Sequence, residues 1–569
     1  MTPRQTTDPE QPRTEPFRWP RSHAASAFDH ANDPQRASQR QYARQHGIPR
    51  ATLGDWLRHQ PPPGLDPQLG DFLRSSAGER FQRRLVLALF LVFHLQGACG
   101  LRLLGQFLAM CGLDAFVASS YGALHTFGAT LDELLADFAR DERGRLAEDM
   151  LERLVALIVD ENFHGASPCL VAIEPVADFI VVEEYQPQRD ALTWTAAIRR
   201  GLAGLPLKVV LLTGDEARGL ICCAEKHLQV QYLPELFHGQ RDLGQPLFGP
   251  LRRQTEAARK SLERSREVTQ HWRDEKERAS QGPPRPGRPL DLDGRIELAG
   301  GMEQGAARSL EACVQREQQA QQALRGLADD YHPFDARTGQ PLTAEQVQQR
   351  LQQRLSVLEQ ITQAAQLGGK AAAALAGGAK WLVTLVASVA WFWTLAHKRI
   401  QELGLPEEAE KQVLEQLLPG LYWERAARQG RTPEERQAKQ ALAERLQKEA
   451  WAAGGALSQL GKEARQEVER VAREVVGLFQ RSSSCVEGRN GRLSLFQHGH
   501  TRLTPRKLTA LTAVHNYVVR RSDGTTAAER LFGKKQRDVL AWLLERLPDL
   551  PRPAAKRPKK GRQQVQAAA

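Results

Sequence analysis

The sequence predicts an α/β core with a mixed five-stranded sheet, set within a largely α-helical multidomain chain. Three observations predict it. Short β-rich apolar runs crowd into residues 151–249, while on either side the apolar residues recur at helical spacing. At 569 residues the chain exceeds one ordinary domain, and about two to four are expected. Charged residues make up 25% and hydrophobic ones 41%, a globular balance rather than a disordered one.

Taken in order, residues 1–35 are rich in Pro, Arg and Asp and read as a disordered lead-in. Residues 36–60 form a compact helical unit, and PPPGLD at 61–66 reads as a linker. Residues 67–150 read as a helical domain, with Phe81–Cys99 apolar on most faces and Ser119-Ser120 placed to cap a helix at Tyr121. Strands are predicted at Leu154–Asp160, Cys169–Ile173, Phe179–Glu183, Lys208–Thr213 and Val230–Leu233. The turn-prone stretch from Glu174 to Asp178 makes a hairpin of the second and third, and Arg189–Leu202 reads as a helix. Residues 250–480 are helical and rich in Gln, Glu, Arg and Ala, broken at 281–294 and 330–342. They show no fixed repeat of the solenoid kind. A mixed segment at 481–548 follows, then a basic tail, 549–569, expected to be disordered. RPAAKRPKKGR within it carries six positive charges and no acid.

Composition narrows the function. A net charge of +11 favours a polyanionic partner, nucleic acid first and anionic membrane second. The seven cysteines are scattered, odd in number and without a C-x-x-C pair, which speaks against a disulfide framework or a structural zinc site. No Gly-rich phosphate loop or Ser-His-Asp order is present. The N-terminus has no apolar core of the secretory kind, so the cytoplasm is the expected compartment. Trp381–Ala396 runs 16 residues without a charge, short of the roughly 20 that span a bilayer. It reads as a buried helix, and no membrane partner is expected. A membrane-associated helical scaffold anchored by 371–396 is the competing reading.

Residues 38–58, SQRQYARQHGIPRATLGDWLR, carry a second motif. Apolar or small residues fall at Tyr42, Ala43, Ile48, Leu53, Trp56 and Leu57, with Gly47 at a turn that needs positive φ and Pro49 before the second helix. The pattern resembles the small helix-turn-helix of bacterial regulators and transposases. The second helix would present Arg50, Thr52 and, at its end, Arg58 to DNA. The competing reading is a plain helical hairpin.

The acids carry the chemistry. Phosphoryl transfer at neutral pH needs a nucleophilic oxygen and a way to bear charge on the leaving oxygen; two Mg²⁺ or Mn²⁺ ions about 3.5–4 Å apart supply both. Such hard cations take carboxylate oxygens. Asp160 ends the first predicted strand, and Asp215 follows the fourth, 55 positions on.

Three sequential strands, then helix, strand, helix and strand, resemble the order of an RNase H-like sheet. A strand ending in Asp-Glu (Asp160-Glu161), a hairpin, then a strand followed by Asp215-Glu216-Ala217-Arg218-Gly219-Leu220 resembles the first two acids of DDE transposases. Leu236-Phe237-His238, followed by Arg241 and Leu243, resembles the D-x-F-H-x-x-K-x-L phrase of bacterial insertion-sequence transposases. Glu235 stands about where that phrase has Asp. Val486-Glu487-Gly488-x-Asn490, with Arg492 and Arg502 beyond, resembles their E-G-x-N block. HNYVVRRSDGTTAAERLFG at 515–533 resembles their closing T-x-A-E-R-L segment.

The resemblance covers 36–60, 155–245 and 484–533. It implies that Asp160, Asp215 and Glu487 hold two Mg²⁺ or Mn²⁺ ions, and that the enzyme cuts DNA at element ends and transfers the strand to target DNA. It also implies that His238, Arg241, Arg489, Arg492 and other cations of 489–521 meet double-stranded DNA. A homodimer or larger assembly, associated with the nucleoid of a bacterial cell, is implied too. The gap of 272 positions from Asp215 to Glu487 requires 250–480 to be an insertion, with 481–548 completing the core. Competing readings remain. Each Asp is equally at home capping a strand-end turn. Glu161 or Glu216 stands ready to replace Glu487, and His238 to orient a carboxylate. The whole chain also fits a domesticated DNA-binding protein that no longer cleaves.

Overall fold

The computed structural model describes residues 19–58, 65–164, 167–282, 290–499, 503–550 and 553. It divides into two compact units. One is Leu151–Arg489; the other joins the residues before it to those from Asn490 onward.

The divided unit opens with α1 (Arg21–Asn32), α2 (Gln39–Gln45) and α3 (Arg50–Arg58). Helix α1 corrects the disordered lead-in. Its Ala27 joins Tyr42, Ala43, Ile48 and Leu53 in a small core edged by Trp19 and Trp56, and His30 stacks on Tyr42 with ring centroids 4.3 Å apart. Pro, Arg and Asp mark residues 1–35 as a whole, but Arg21–Asn32 is RSHAASAFDHAN, without Pro, and a few small residues on one face suffice to bury a short helix. Residues 1–18 lie outside the described residues. Ser38 caps α2, and Gly47 at φ +63° makes the turn into α3. The chain continues through α4 (Pro67–Arg74) and α5 (Ser76–Leu89), a π-helical turn (Phe90–Gln96), α6 (Leu101–Met110) and α7 (Tyr121–Ala147), which Ser120 caps. Residues 61–64 of the expected linker lie outside the described residues, and Asp66 caps α4.

The undivided unit begins with the sheet. Its elements are β1 (Arg153–His164), β2 (Ser167–Glu174), β3 (Phe179–Tyr185), α8 (Ala191–Leu202), β4 (Leu207–Gly214), α9 (Arg218–Cys222) and β5 (Gln231–Pro234). The order is β3-β2-β1-β4-β5. β1–β2 and β2–β3 are antiparallel, while β1–β4 and β4–β5 are parallel. The runs at 154–160, 169–173, 179–183, 208–213 and 230–233 are therefore strands, a mixed five-stranded sheet within a mostly helical chain. β-Branched and apolar residues bury both faces of β2 and β4, as parallel and central strands require.

Then come α10 (Leu236–Gln281), α11 (Leu292–Asp330), α12 (Ala344–Ala364), α13 (Gly369–Gln401), α14 (Glu407–Gln412), α15 (Leu418–Ala427), α16 (Pro433–Ala450) and α17 (Lys462–Leu478). Helix α10 starts directly after β5, so the boundary expected at 249/250 falls inside one continuous helix. Pro246 and Pro250 lie within it, and Leu243, Leu247 and Leu251 carry its buried stripe past both. Among the described residues α13 is the helix long and apolar enough to cross a membrane. It is not isolated: Leu375, Trp381, Leu385, Val389, Phe392 and Ile400 sit in the core of the helical block. Trp381 lies so close to α10 that a Cβ on Gly239 would stand 2.1 Å from its ring.

The chain ends with α18 (Ser484–Gly499), α19 (Pro505–Tyr517), α20 (Ala527–Phe532) and α21 (Val539–Arg546). Residues 481–548 do not form one continuation of the sheet unit. From Asn490 onward they pack with the N-terminal helices, where Tyr517 and Trp542 set their ring edges against Phe138 of α7. Apart from Pro553, the basic tail lies outside the described residues.

Candidate active site

Two aspartates meet because two strands run parallel. Ile158 is the last β1 residue paired with β4, opposite Thr213, so Asp160 and Asp215 each follow two residues on; β1 itself runs past the end expected at Asp160, to His164, on its pairing with β2. Gly214 permits the approach: a Cβ there would stand 2.7 Å from the Val159 carbonyl oxygen. The Tyr232 hydroxyl donates to the Asp215 carbonyl and fixes the turn. Asp160 Oδ1 accepts from the Glu161 N–H at 2.8 Å, and Asp215 Oδ1 accepts from the Ala217 N–H at 3.1 Å.

β5 brings in a third acid. Its last residue pairs with Gly214, and the next N–H, that of Glu235, donates to the Gly214 carbonyl at 2.9 Å. Glu235 is buried. Its carboxylate accepts from Ser483 N–H at 3.0 Å and from Ser483 Oγ, and it pairs with His238 Nδ1. The electrostatics register the crowding. Burial pushes the Asp160 carboxyl up to about 6, and the negative charges of Asp215 and Glu235 add to the rise. The Glu161 N–H and His238 act the other way. Burial likewise raises the Tyr232 phenol, and the same three acids with Glu216 raise it further.

Alternation along β1 sorts the acids by face. Asp160 is opposite Val171, and Val171 opposite Glu183, so the three share one face. Glu161 points to the other face, where it accepts from Trp194 Nε1 at 3.2 Å and Arg189 Nη1 at 2.5 Å. Those bonds hold it on the face opposite Asp160; Glu216 is exposed.

Helix α18 is anchored at two points of the Asp160 side. Ser483, just before it, holds Glu235. Arg489 donates Nε and Nη2 to the Glu183 carboxylate at 2.7 and 2.5 Å. Glu487 lies between these anchors in the first turn and is exposed. Among the described residues no three His, Cys, Asp or Glu side chains converge tightly enough to ligate one ion. The structure thus joins Asp160 and Asp215 to Glu235 and His238. Glu235 is the acid that the sequence reading passed over. The signal was present, an acid directly after the fifth strand, but it counted only as a mismatch to an aspartate.

The donor set still suits a hard cation. Magnesium is commonly held by one or two protein carboxylates with substrate phosphates and waters completing the shell. Asp160 and Asp215 are such a pair, and a cation would relieve the charge that raises Asp160.

The cations expected at DNA divide. Arg50 is exposed at the start of α3 and Thr52 half-buried; Arg58 is exposed and paired with Asp55 at 2.6 Å. Arg241 is exposed beside Asp242. Arg489 is a correction: its guanidinium is buried and bidentate on Glu183, so it holds a helix to a strand rather than a phosphate. Arg492 is half-buried, and Arg502 lies outside the described residues. The T-x-A-E-R-L segment has a local structural role. Thr526 and Glu529 form a capping box at the start of α20, and Gly533 closes that helix at φ +65°.

Residues 413–559, from the π-helical turn Val413–Leu417 to beyond α21, match the model of a family of unknown function, DUF6399. That stretch includes Ser483, Glu487 and Arg489 but none of Asp160, Asp215 and Glu235. No curated protein and no solved structure matches the chain.

Proposed function

We propose that the chain is a DNA transposase of the DDE type, with an RNase H-like core that cleaves and transfers DNA strands with Mg²⁺ or Mn²⁺. The observation that carries the reading is the pair Asp160, within β1 two residues past its last pairing with β4, and Asp215, directly after β4, with Glu235 directly after β5. The strand order β3-β2-β1-β4-β5, with two antiparallel pairings followed by two parallel ones, supports the RNase H-like assignment. Asp160 and Asp215 hold the metal ions, and Glu487 on α18 completes the set when DNA is bound. When bound, the ions bear charge on the attacking water and on the leaving oxygen. Glu235 fixes His238 and, through Ser483, the start of α18. Arg241 and Arg492 hold phosphates of double-stranded DNA, while α2 and α3 bring Arg50, Thr52 and Arg58 to element ends. Paired ends call for a homodimer or larger assembly.

A second reading is a DNA-binding protein that no longer cleaves. The exposed place of Glu487 favours it.

The test is cleavage of DNA carrying the inverted repeats that flank the gene, with Mg²⁺ or Mn²⁺. The wild type cuts, and Asp215→Ala loses about a hundredfold or more in rate, since a metal-held charge is worth several kcal/mol. DNA retarded but uncut by both proteins leaves the second reading. Absence of DNA binding sinks both.

A further inference from the structure

The divided unit holds a pocket of about 690 Å³, within the range of small-molecule sites. It lies in the unit that does not contain Asp160 and Asp215, so its argument is independent of the transposase reading. Buried Asp132 and His94 line it together with the half-buried Lys507. Lys507 Nζ donates to Asp132 Oδ1 at 2.7 Å and lies 3.4 Å from His94 Nε2. His94 Nδ1 is 2.7 Å from the Cys99 carbonyl oxygen, which only accepts, so Nδ1 carries the proton. In the neutral ring Nε2 is then an acceptor, and it takes a second N–H of Lys507. An ammonium has three N–H groups, so one is left for the pocket. His94 sits in the π-helical turn Phe90–Gln96, a local distortion of the kind found at functional sites.

The walls favour an anion. Arg102 and Arg506 line the pocket, and Arg102 makes no ion pair among the described residues. Arg506 spends one nitrogen on Glu133 at 3.1 Å, leaving further donors of its planar fork. Three helices open here at their amino ends. These are α6 at Leu101, α7 at Tyr121 and α19, whose first turn carries Arg506 and Lys507. Each presents N–H groups without an intrahelical partner and the positive end of its dipole. At the rim the exposed Tyr121 stacks on His125, with centroids 6.0 Å apart and planes 27° from parallel. Aromatic faces beside cations are what a nucleotide base and its phosphate require.

We infer that this pocket binds a nucleotide, with the phosphate on Lys507, Arg102 and Arg506 and the base on the Tyr121–His125 pair. The same chemistry comes from a free nucleotide or from the phosphorylated end of a single strand. Calorimetric titration of the full chain separates the two. The probes are adenosine 5′-monophosphate, adenosine, inorganic phosphate, and a single-stranded oligonucleotide with and without a 5′-phosphate.

The expected result is that adenosine monophosphate binds more tightly than adenosine or phosphate alone. Arg102→Ala and Tyr121→Ala, both at exposed side chains, weaken it about fivefold or more, the low end for one stacked base. Their circular dichroism remains that of the wild type. An oligonucleotide that binds only when phosphorylated, and competes with the mononucleotide, identifies a strand end as the source. One that does not compete identifies the free nucleotide. The inference is overturned if no probe binds, if phosphate binds as well as the nucleotide, or if both variants bind like the wild type.

Discussion

Asp160 is held where its charge is unwelcome. Its carboxyl titrates at about 6 rather than 3.8, chiefly because it is buried and then because Asp215 and Glu235 are near. The unfolded chain releases this proton first. Between the two values the folded chain keeps a proton that the unfolded one has lost, so stability falls as pH rises from about 4 to about 6 and stays reduced above that. Asp160→Asn is therefore expected to unfold at a higher temperature than the wild type at about pH 7.5, by an amount worth about 1–3 kcal/mol, and to show no such gain below about pH 4. Mg²⁺ should raise the melting temperature of the wild type and not that of the variant. Equal melting temperatures at both pH values would remove the electrostatic strain from the account. The two aspartates are legible in sequence because each closes an apolar run, although β1 itself continues past Asp160 to His164 on its pairing with β2. Glu235 was just as visible but was read against a motif rather than against its strand. Ser483 was not legible at all, because its bond to Glu235 spans 248 positions and leaves no local pattern.

At the scale of elements, one of the two anchors of α18 is an ion pair. Arg489 and Glu183 are both buried, and their bidentate contact ties α18 to β3 on the face that carries Asp160. Removing the guanidinium strips a buried carboxylate of its main partner, which typically costs about 3–5 kcal/mol. Arg489→Ala should lower the unfolding free energy, read from denaturant titration, by that much. Replacing both residues with apolar ones, Arg489→Met with Glu183→Leu, should recover much of the loss. The salt dependence of DNA binding, measured alongside, should keep its slope in Arg489→Ala, because a phosphate contact would lower it by about one. A lowered slope with unchanged stability would return Arg489 to the DNA surface. Sequence reading shows the charge of Arg489 but not its burial, and α1 was missed for a related reason. A short helix buried through Ala27 against Tyr42 and Leu53 has too few apolar positions to stand out against its Pro, Arg and Asp neighbours. The strands were easier, since β-branched runs ended by Gly, Pro and Asp need no tertiary knowledge.

At the scale of the sheet unit, the helical block is a cover for the sheet rather than an appendage. Ala156, Leu211 and Leu233 on the Asp160 face pack against Leu478 at the end of α17, with Trp391 and Leu395 of α13 beside them. The block also grips the β2–β3 turn. The half-buried Arg425 of α15 faces Glu174 and donates to the Val476 carbonyl and Gln480 Oε1, at 2.9 and 2.6 Å. A Cβ on Gly477 would stand 2.9 Å from Val176, so α17 and the turn are in close contact. Burial of this apolar face supplies much of what holds the strands, and without its cover the sheet would expose it. The sheet and the block should then open as one cooperative body. Leu478 is almost fully buried, and Leu478→Ala should cost about 2–5 kcal/mol. Hydrogen exchange is the measurement that reads this. The amides of β1, β4, α13 and α17 should share one opening free energy in the wild type and fall together in the variant. If the β1 and β4 amides keep their protection while those of α17 lose it, the sheet folds without its cover. Residues 250–480 would then be an independent insertion, as the sequence spacing alone suggests.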